Sequence, residues 1–447
     1  MGNLKKAIRY AGKNGIMDMI YTAIERKQQL KEKYVFEPIG DAELEKQRKE
    51  AKNAIKISIL VPAYETKAEY LEALIESVRD QSYTNWELLL CDASTSKQVK
   101  EVAKQYSDER IQYYKLAENH GISGNTNAGL AYATGDYVAL LDHDDLLTPD
   151  ALYEMVQAVE CAMLSEAQNG ADDADILPVL PYMVYSDEDK CDGSGTKFSC
   201  PHRKLDFNLD LFLTNNYICH FTMIRADIIK ELGLRPAYDG AQDYDLFLRV
   251  VMLILRMKIS ESTPEKLEKR ICHVPKILYH WRCHEESTAD NPESKMYAYE
   301  AGKRALEDWY RRMNLKTTVI HSKHLGFYET KYQKNMIQSR DDIGVIGGKL
   351  THKNKVTGGA MDKDGTVTYA GLRRKFSGYM NRGILTQNVT ALDLRCMKVR
   401  PELRELYMDY VARISEEDPV TLSLEFSGKV REAGYFLVYI PTFEEKM

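Results

Sequence analysis

Three carboxylates in four positions stand directly behind an apolar run in VALLDHDDLLTP: Asp142, Asp144 and Asp145, with His143 between them. Like charges this close repel, and such clusters are commonly kept where a divalent cation neutralises them. Mg2+ or Mn2+ takes oxygen ligands and is often shared with substrate phosphates. An acidic cap on the following helix explains one of these residues; three after a buried strand point to a metal. GAQDYDLFLR brings Asp243 and Asp245. A carboxylate here can take a proton from an acceptor hydroxyl as a general base, and helix capping is the competing reading. In YHWRCHEEST the planar fork of Arg282 suits a diphosphate, and His284 suits a metal or the same diphosphate. Trp281 reads as core more readily than as a sugar platform. Tyr64, after VPA, offers a ring to stack on a base, and Asp92, after LLLC, offers an acceptor for one. Turns after strands favour Asp in any case.

The elements that must position these residues alternate. KISILVPAY, WELLLCD, IQYYKL and YVALLD read as strands, the first a nearly continuous apolar run of the kind buried in parallel sheets. Helical patterns at 68–81 and 99–106 and after ISGNTN lie between them. Strand–helix alternation with short connections predicts an α/β fold with a right-handed, mostly parallel sheet. Ligands sit at the carboxyl ends of strands in such sheets, and Tyr64, Asp92 and Asp142 each follow one. A helix from Pro149 toward Glu166 and an acidic surface loop, QNGADDADILP, come next, and 296–313 reads as a closing helix.

The 447 residues predict two or three domains at roughly 100–200 residues each. A net charge of −6 argues against a general nucleic-acid binder. Eight scattered cysteines form no C-x-x-C pair and read as reduced thiols of a cytoplasmic chain. The start lacks a signal peptide's apolar stretch, and no run reaches the ~20 apolar residues of a membrane span. Residues 4–33 read as a basic helix, either packed on the domain or laid on an anionic membrane, and 40–53 as a charged connector helix.

In this order the pieces resemble family 2 glycosyltransferases of the GT-A fold. SILVPAYETKAEYLEALIESVRDQSYTNWELLLCDAST is similar to that family's opening, and NHGISGNTNAGLAYATGDYVALLDHDDLLTPDAL to the segment leading into its D-x-D motif. YSDEDK, NNYICHF, GAQDYDLFLR and LYHWRCHEEST look closest to bacterial rhamnosyltransferase-like members that build surface polysaccharides. The resemblance implies a Rossmann-like sheet flanked by helices and a nucleotide-sugar site of Pro62, Tyr64, Glu65, Asp92, Asn127, Asp142, His143 and Arg282. Tyr64 and Asp92 are to hold the nucleobase, and Asn127 to lie near the nucleotide. Asp144 and Asp142, with His284, are to hold Mn2+ or Mg2+, and Asp243 is to be the catalytic base. The implied reaction is an inverting displacement from dTDP-rhamnose or a UDP-sugar to a glycan or lipid-linked glycan. It implies a cytoplasmic chain with peripheral contact at the inner membrane face. Gln242 stands where the family often has Glu, and the Q/R-x-x-R-W motif of processive synthases is not visible.

A weak echo follows. QNVTALDLRCMKVRPELREL resembles NNYICHFTMIRADIIKELG in pattern, and SLEFSGKV stands where a carboxylate pair is expected. The division expected is a helical extension over 1–54, a catalytic domain over 55–330, and a smaller, partial α/β module over 331–447 without a nucleotide-binding half. A nucleotidyltransferase shares the sheet and acidic cluster, but VPAYETK is no Gly-rich phosphate loop. A non-catalytic glycan-binding or scaffold protein on a dead transferase is the alternative from another class.

Overall fold

The computed structural model describes residues 11–446 apart from 13–14, 30–33, 170–179, 257–266, 268 and 284–295. His284 and most of the acidic loop QNGADDADILP therefore lie outside the described residues. So does much of the stretch expected as a helix over 4–33, of which α1 (Ile16–Gln29) is described. After α2 (Asp41–Glu50) come β1 (Ile57–Ala63), α3 (Ala68–Arg79), β2 (Trp86–Asp92), β3 (Ile111–Lys115), α4 (Gly121–Leu130) and β4 (Tyr137–Leu140). Then follow β5 (Leu146–Leu147), α5 (Ala151–Asn169), β6 (Met183–Cys191), β7 (Phe198–His202), β8 (Thr222–Arg225), α6 (Gln242–Arg256), β9 (Ile271–Arg282) and α7 (Met296–Arg312).

These strands form one nine-stranded sheet in the order β3-β2-β1-β4-β8-β6-β9-β5, with β7 beside β6. β3, β2, β1, β4, β6 and β9 share one direction; β8, β7 and β5 run against it. The apolar runs explain the layering. Side chains alternate across a strand, so Ile57, Ile59 and Val61 enter one core and Leu60 the other, all fully buried. α3 turns Leu71, Leu74, Ile75 and Val78 into the first of these cores. α4 lies against the opposite face so closely that a Cβ on Gly129 would stand 2.3 Å from Leu60 Cδ1 and 2.6 Å from Cys91 Sγ.

A hairpin of β10 (Thr317–His321) and β11 (Tyr328–Tyr332) leads into a second sheet. The remaining elements are β12 (Ile343–His352), β13 (Lys355–Gly358), β14 (Ala360–Met361), β15 (Gln387–Asn388), β16 (Ala391–Leu392), β17 (Met397–Val399), α8 (Arg404–Arg413), α9 (Pro419–Glu432) and β18 (Phe436–Lys446). The five-stranded sheet runs β13-β12-β18-β15, with β17 also on β12. The two sheets share core: Phe207 and Phe212 lie in one cluster with Ile343, Ile346, Phe436 and Val438. A polar clamp adds to it. Asn208 Nδ2 donates to the Asn388 carbonyl at 2.8 Å, Asn388 N donates back to Asn208 Oδ1 at 2.8 Å, and buried Arg340 meets buried Asp210 at 2.5 Å.

The amino-terminal stretch is tied to both sheets. Tyr34 donates to Asp189 Oδ2 at 2.6 Å, and Phe36 packs on Phe198 and His280. Glu25 of α1 accepts from the main-chain nitrogens of Ser377 and Gly378. Ile16, Met17, Ile20 and Ile24 of the same helix stay exposed. All eight cysteines are free thiols. No helix among the described residues is long and apolar enough to cross a membrane.

Candidate active site

At the carboxyl ends of β1 and β2, Pro62 lies in register with Cys91, and Tyr64 projects with 48% of its surface exposed. Glu65 adopts a left-handed backbone, φ 48°. Its carboxylate accepts from Thr95 N at 2.6 Å, Thr95 Oγ1 at 2.8 Å and Ser96 N at 3.1 Å, while its own N–H donates to Ser94 Oγ. The hydrogen bonds from Ser96 and Thr95 hold its pKa at about 2. Asp92 is fully buried: Oδ1 accepts from Ser94 N at 2.8 Å and Oδ2 from the Tyr113 hydroxyl at 2.7 Å. This corner is a braced loop with one free aromatic ring on it.

The acidic turn after β4 sorts its carboxylates by direction. Asp145 points in and is fully buried. It accepts from the Tyr279 hydroxyl, and from Arg282 N at 2.7 Å, which fastens the turn to β9. Burial, then the charges of Asp144 and Asp142, push its pKa well above the ordinary carboxylate range. Asp142 points out, its side chain 42% exposed and 3.7 Å from His220 Nε2. Arg282 is buried: Nε donates to the Asp144 carbonyl at 2.5 Å, Nη1 to the Gly193 carbonyl at 2.8 Å, and the guanidinium lies over the Tyr70 ring at 4.7 Å. Its Nη2 and the Nδ1 of His143 are buried without a hydrogen-bond partner. Unpaired buried polar atoms are costly, and two beside one acidic turn suit a polar ligand that brings oxygen.

Asp243 begins α6, half-buried, and its Oδ2 accepts from Asn216 Nδ2 at 2.7 Å. Burial raises its pKa above the ordinary Asp range; His220 pulls it back and Asp142 pushes it up. The charges of His220 and Asp142 thus both act on Asp243. His220 stacks on Tyr279 at 4.8 Å and 11°. Its N–H donates to Glu188 at 3.1 Å, and its carbonyl accepts from Lys204 Nζ. Burial pushes Glu188 up, but Lys204 and His202 outweigh it and hold the carboxyl at about 2.

The structure therefore places Asp142, His143 and Asp144 on one turn with Arg282 of β9 fastened to it, sets Asp142 beside His220 with both charges felt at Asp243, and groups Pro62, Tyr64, Glu65 and Asp92 at the neighbouring strand ends. Asn127 is engaged differently: its amide donates to and accepts from the main chain of Leu234, at 2.8 and 2.7 Å. That bidentate contact makes it a clamp between α4 and the loop before α6. His220 and Asn216 escaped the sequence reading; their signal was a polar trio inside the apolar stretch NNYICHF. No three Asp, Glu, His or Cys side chains converge as a metal cage among the described residues. Mg2+ and Mn2+ take hard oxygen ligands of the kind that the carboxylates of Asp142 and Asp144 carry.

Residues 58–233 match the family described as Glycosyl transferase family 2, from β1 to the helix after β8. The chain is 30% identical over 206 residues to the putative colanic acid biosynthesis glycosyl transferase WcaA of Escherichia coli, covering 45% of this chain and 68% of that one. It belongs to glycosyl transferase family 2. It is also 38% identical over 272 residues to the uncharacterized protein y4gI of Sinorhizobium fredii, covering 60% of this chain and 27% of that one. With the O-antigen biosynthesis protein RfbC of Myxococcus xanthus it shares 31% identity over 267 residues, 59% of this chain and 18% of that one. The chain thus spans about a quarter and about a fifth of these two longer relatives.

Proposed function

We propose that this chain is an inverting glycosyltransferase. It moves a sugar from dTDP-rhamnose or a UDP-sugar to a hydroxyl of a glycan or lipid-linked glycan during synthesis of a cell-surface polysaccharide. The observation that carries the proposal is Asp142 on the acidic turn, 3.7 Å from His220, with the charges of both felt at Asp243 at the head of α6. One carboxylate belongs with a diphosphate and its cation, and the other with a hydroxyl proton. The relatives WcaA and RfbC, described by colanic acid and O-antigen biosynthesis, supply the polysaccharide context.

In this reading Tyr64 stacks on the nucleobase, within the corner that Pro62, Glu65 and Asp92 brace. His143 Nδ1 and Arg282 Nη2 meet donor oxygens. Asp142 and Asp144 hold Mn2+ or Mg2+, with His284 as a further ligand, and the ion supplies Lewis-acid neutralisation of the diphosphate when bound. The acceptor oxygen attacks the anomeric carbon in line as the bond to the diphosphate oxygen breaks, and Asp243 takes the acceptor proton. A pKa raised by burial suits that task, since a base is most effective when its pKa approaches the working pH. Residues 55–330 carry this chemistry, residues 331–447 form a partial module without it, and residues 1–54 extend the chain. Contact with the inner membrane face runs through the exposed Ile16, Met17, Ile20 and Ile24 of α1.

The test is a thermal-stabilisation screen of dTDP-rhamnose, UDP-hexoses and UDP-N-acetylhexosamines with Mn2+. A donor at a hundred times its Kd adds about 2.7 kcal/mol of stability. The expected result is a raised melting temperature with at least one donor. Silence across the whole set, with the free nucleotides silent too, contradicts the proposal.

A further inference from the structure

Beside the proposed base lies a 160 Å³ cavity that the donor side does not use. One wall is Asn215, Asn216 and His202 of the catalytic region. Asn216 is the residue that hydrogen-bonds Asp243, so the cavity begins one side chain from the base. Phe327 lines it from the β10–β11 loop. The remaining wall comes from the other side of the molecule: Met380 and Arg382, between β14 and β15.

Two features mark this as more than a packing defect. Asn215 is 9% exposed, and its buried Oδ1 has no hydrogen-bond partner. A buried amide oxygen normally finds a donor, so a donor is missing here. The segment that closes the cavity is also held in an unfavourable backbone. Met380 and Asn381 have φ of 50° and 63°, and a methionine in that region persists only where its surroundings impose it. Those surroundings are visible. The Tyr379 hydroxyl donates to the Pro201 carbonyl at 2.7 Å and accepts from Arg203 N at 2.9 Å. Arg382 donates to the Arg203 carbonyl at 2.5 Å, and Glu25 of α1 holds the nitrogens of Ser377 and Gly378.

We infer that the carboxy-terminal region completes the acceptor site: a sugar ring bearing hydroxyl donors seats in this cavity, one hydroxyl donating to Asn215 Oδ1, with Met380 and Arg382 as specificity-determining residues. The lining of amides, an imidazole, a guanidinium and aromatic edges suits a polyhydroxylated ring, and the volume suits one ring, not a chain. This rests on the transferase reading above. It adds that the segment between β14 and β15 presents part of the substrate site to the catalytic region.

The test titrates methyl hexosides, methyl 6-deoxyhexosides and methyl 2-acetamidohexosides into the full chain, read by saturation-transfer NMR. Wild type, Met380→Trp, Asn215→Leu and Asp243→Asn are compared, and stabilisation by nucleotide sugars is read in parallel. At least one glycoside is expected to bind wild type and Asp243→Asn, and to bind at least tenfold more weakly to Met380→Trp and Asn215→Leu. Where Asn215→Leu loses fold, Met380→Trp, on a partly exposed segment, carries the comparison. Donor binding with no glycoside binding, or equal glycoside binding by wild type and Met380→Trp, overturns the acceptor site alone. Loss of donor binding in wild type overturns the transferase reading instead.

Discussion

The two sheets use one pairing scheme and carry different side chains on it. β6 pairs antiparallel with β8 at its start and with β7 at its end, and parallel with β9 along its other edge. β12 repeats this with β17, β13 and β18. Yet β6 reads MVYSDEDKC, and each of its acids meets a histidine: Asp187 with His273, Glu188 with His202, Asp189 with His280. β12 reads IGVIGGKLTH. Its glycines admit backbone: a Cβ on Gly348 would stand 1.7 Å from the Phe443 carbonyl oxygen. Likewise α6 starts with Asp243, bound to Asn216 of the catalytic region, whereas α9 starts behind Asp418, whose carboxylate caps its own helix through Thr421 N. The frame is thus independent of the chemistry. What separates the halves is a small set of charges at strand and helix ends.

The sharpest break in that comparison comes from Asp144→Ala. If the acidic turn holds the cation, loss of several kcal/mol of transition-state stabilisation lowers metal-dependent donor turnover by about a thousandfold. Steady-state turnover with Mn2+ or Mg2+ measures it, and equal rates remove the metal assignment.

Charges between the sheets are expected to act on stability. Arg340 is buried against Asp210 and also meets Asp342. Arg340→Met strands a buried carboxylate and is expected to cost about 3 kcal/mol in urea unfolding. Adding Asp210→Asn is expected to recover part of that loss; no recovery means the pair is not the cause.

Gly348→Ala probes the frame. Overpacking β12 against β18 is expected to cost about 2 kcal/mol while donor binding persists. Loss of donor binding in a folded variant would show that the second sheet shapes the donor side.

The smallest effect is on pH. Asp243 works as a base only when deprotonated, and its pKa is raised, so transfer is expected to climb with pH through a limb above the ordinary Asp range. His220 holds that pKa down, so His220→Gln is expected to move the limb upward. An unmoved limb means another group titrates.

Much of this was legible from residue order. The apolar runs of β1, β2 and β4 fixed strands, and charges directly behind them had to lie at one edge. What stayed hidden were contacts set by tertiary structure. Asp142 and Asp145 are near neighbours in sequence, yet one is 42% exposed and the other fully buried, because Asp145 alone turns toward Tyr279 and Arg282. Asn127 meets Leu234 across a separation of 107 residues, which no local pattern encodes. His220 gains its place only once β6, β9 and the turn after β4 are assembled around it.

The most direct measurement is Asp243→Asn with three readouts: donor binding, sugar transfer and melting temperature. The folded pKa of Asp243 lies above its unfolded value, so the stability its protonated form contributes is lost as pH rises through the folded pKa. Asparagine cannot ionise, so melting at neutral pH is expected to be unchanged or higher. Donor binding is expected to stay near wild type, and transfer to fall by roughly 10²–10⁴-fold. Transfer at the wild-type rate would contradict Asp243 as the base.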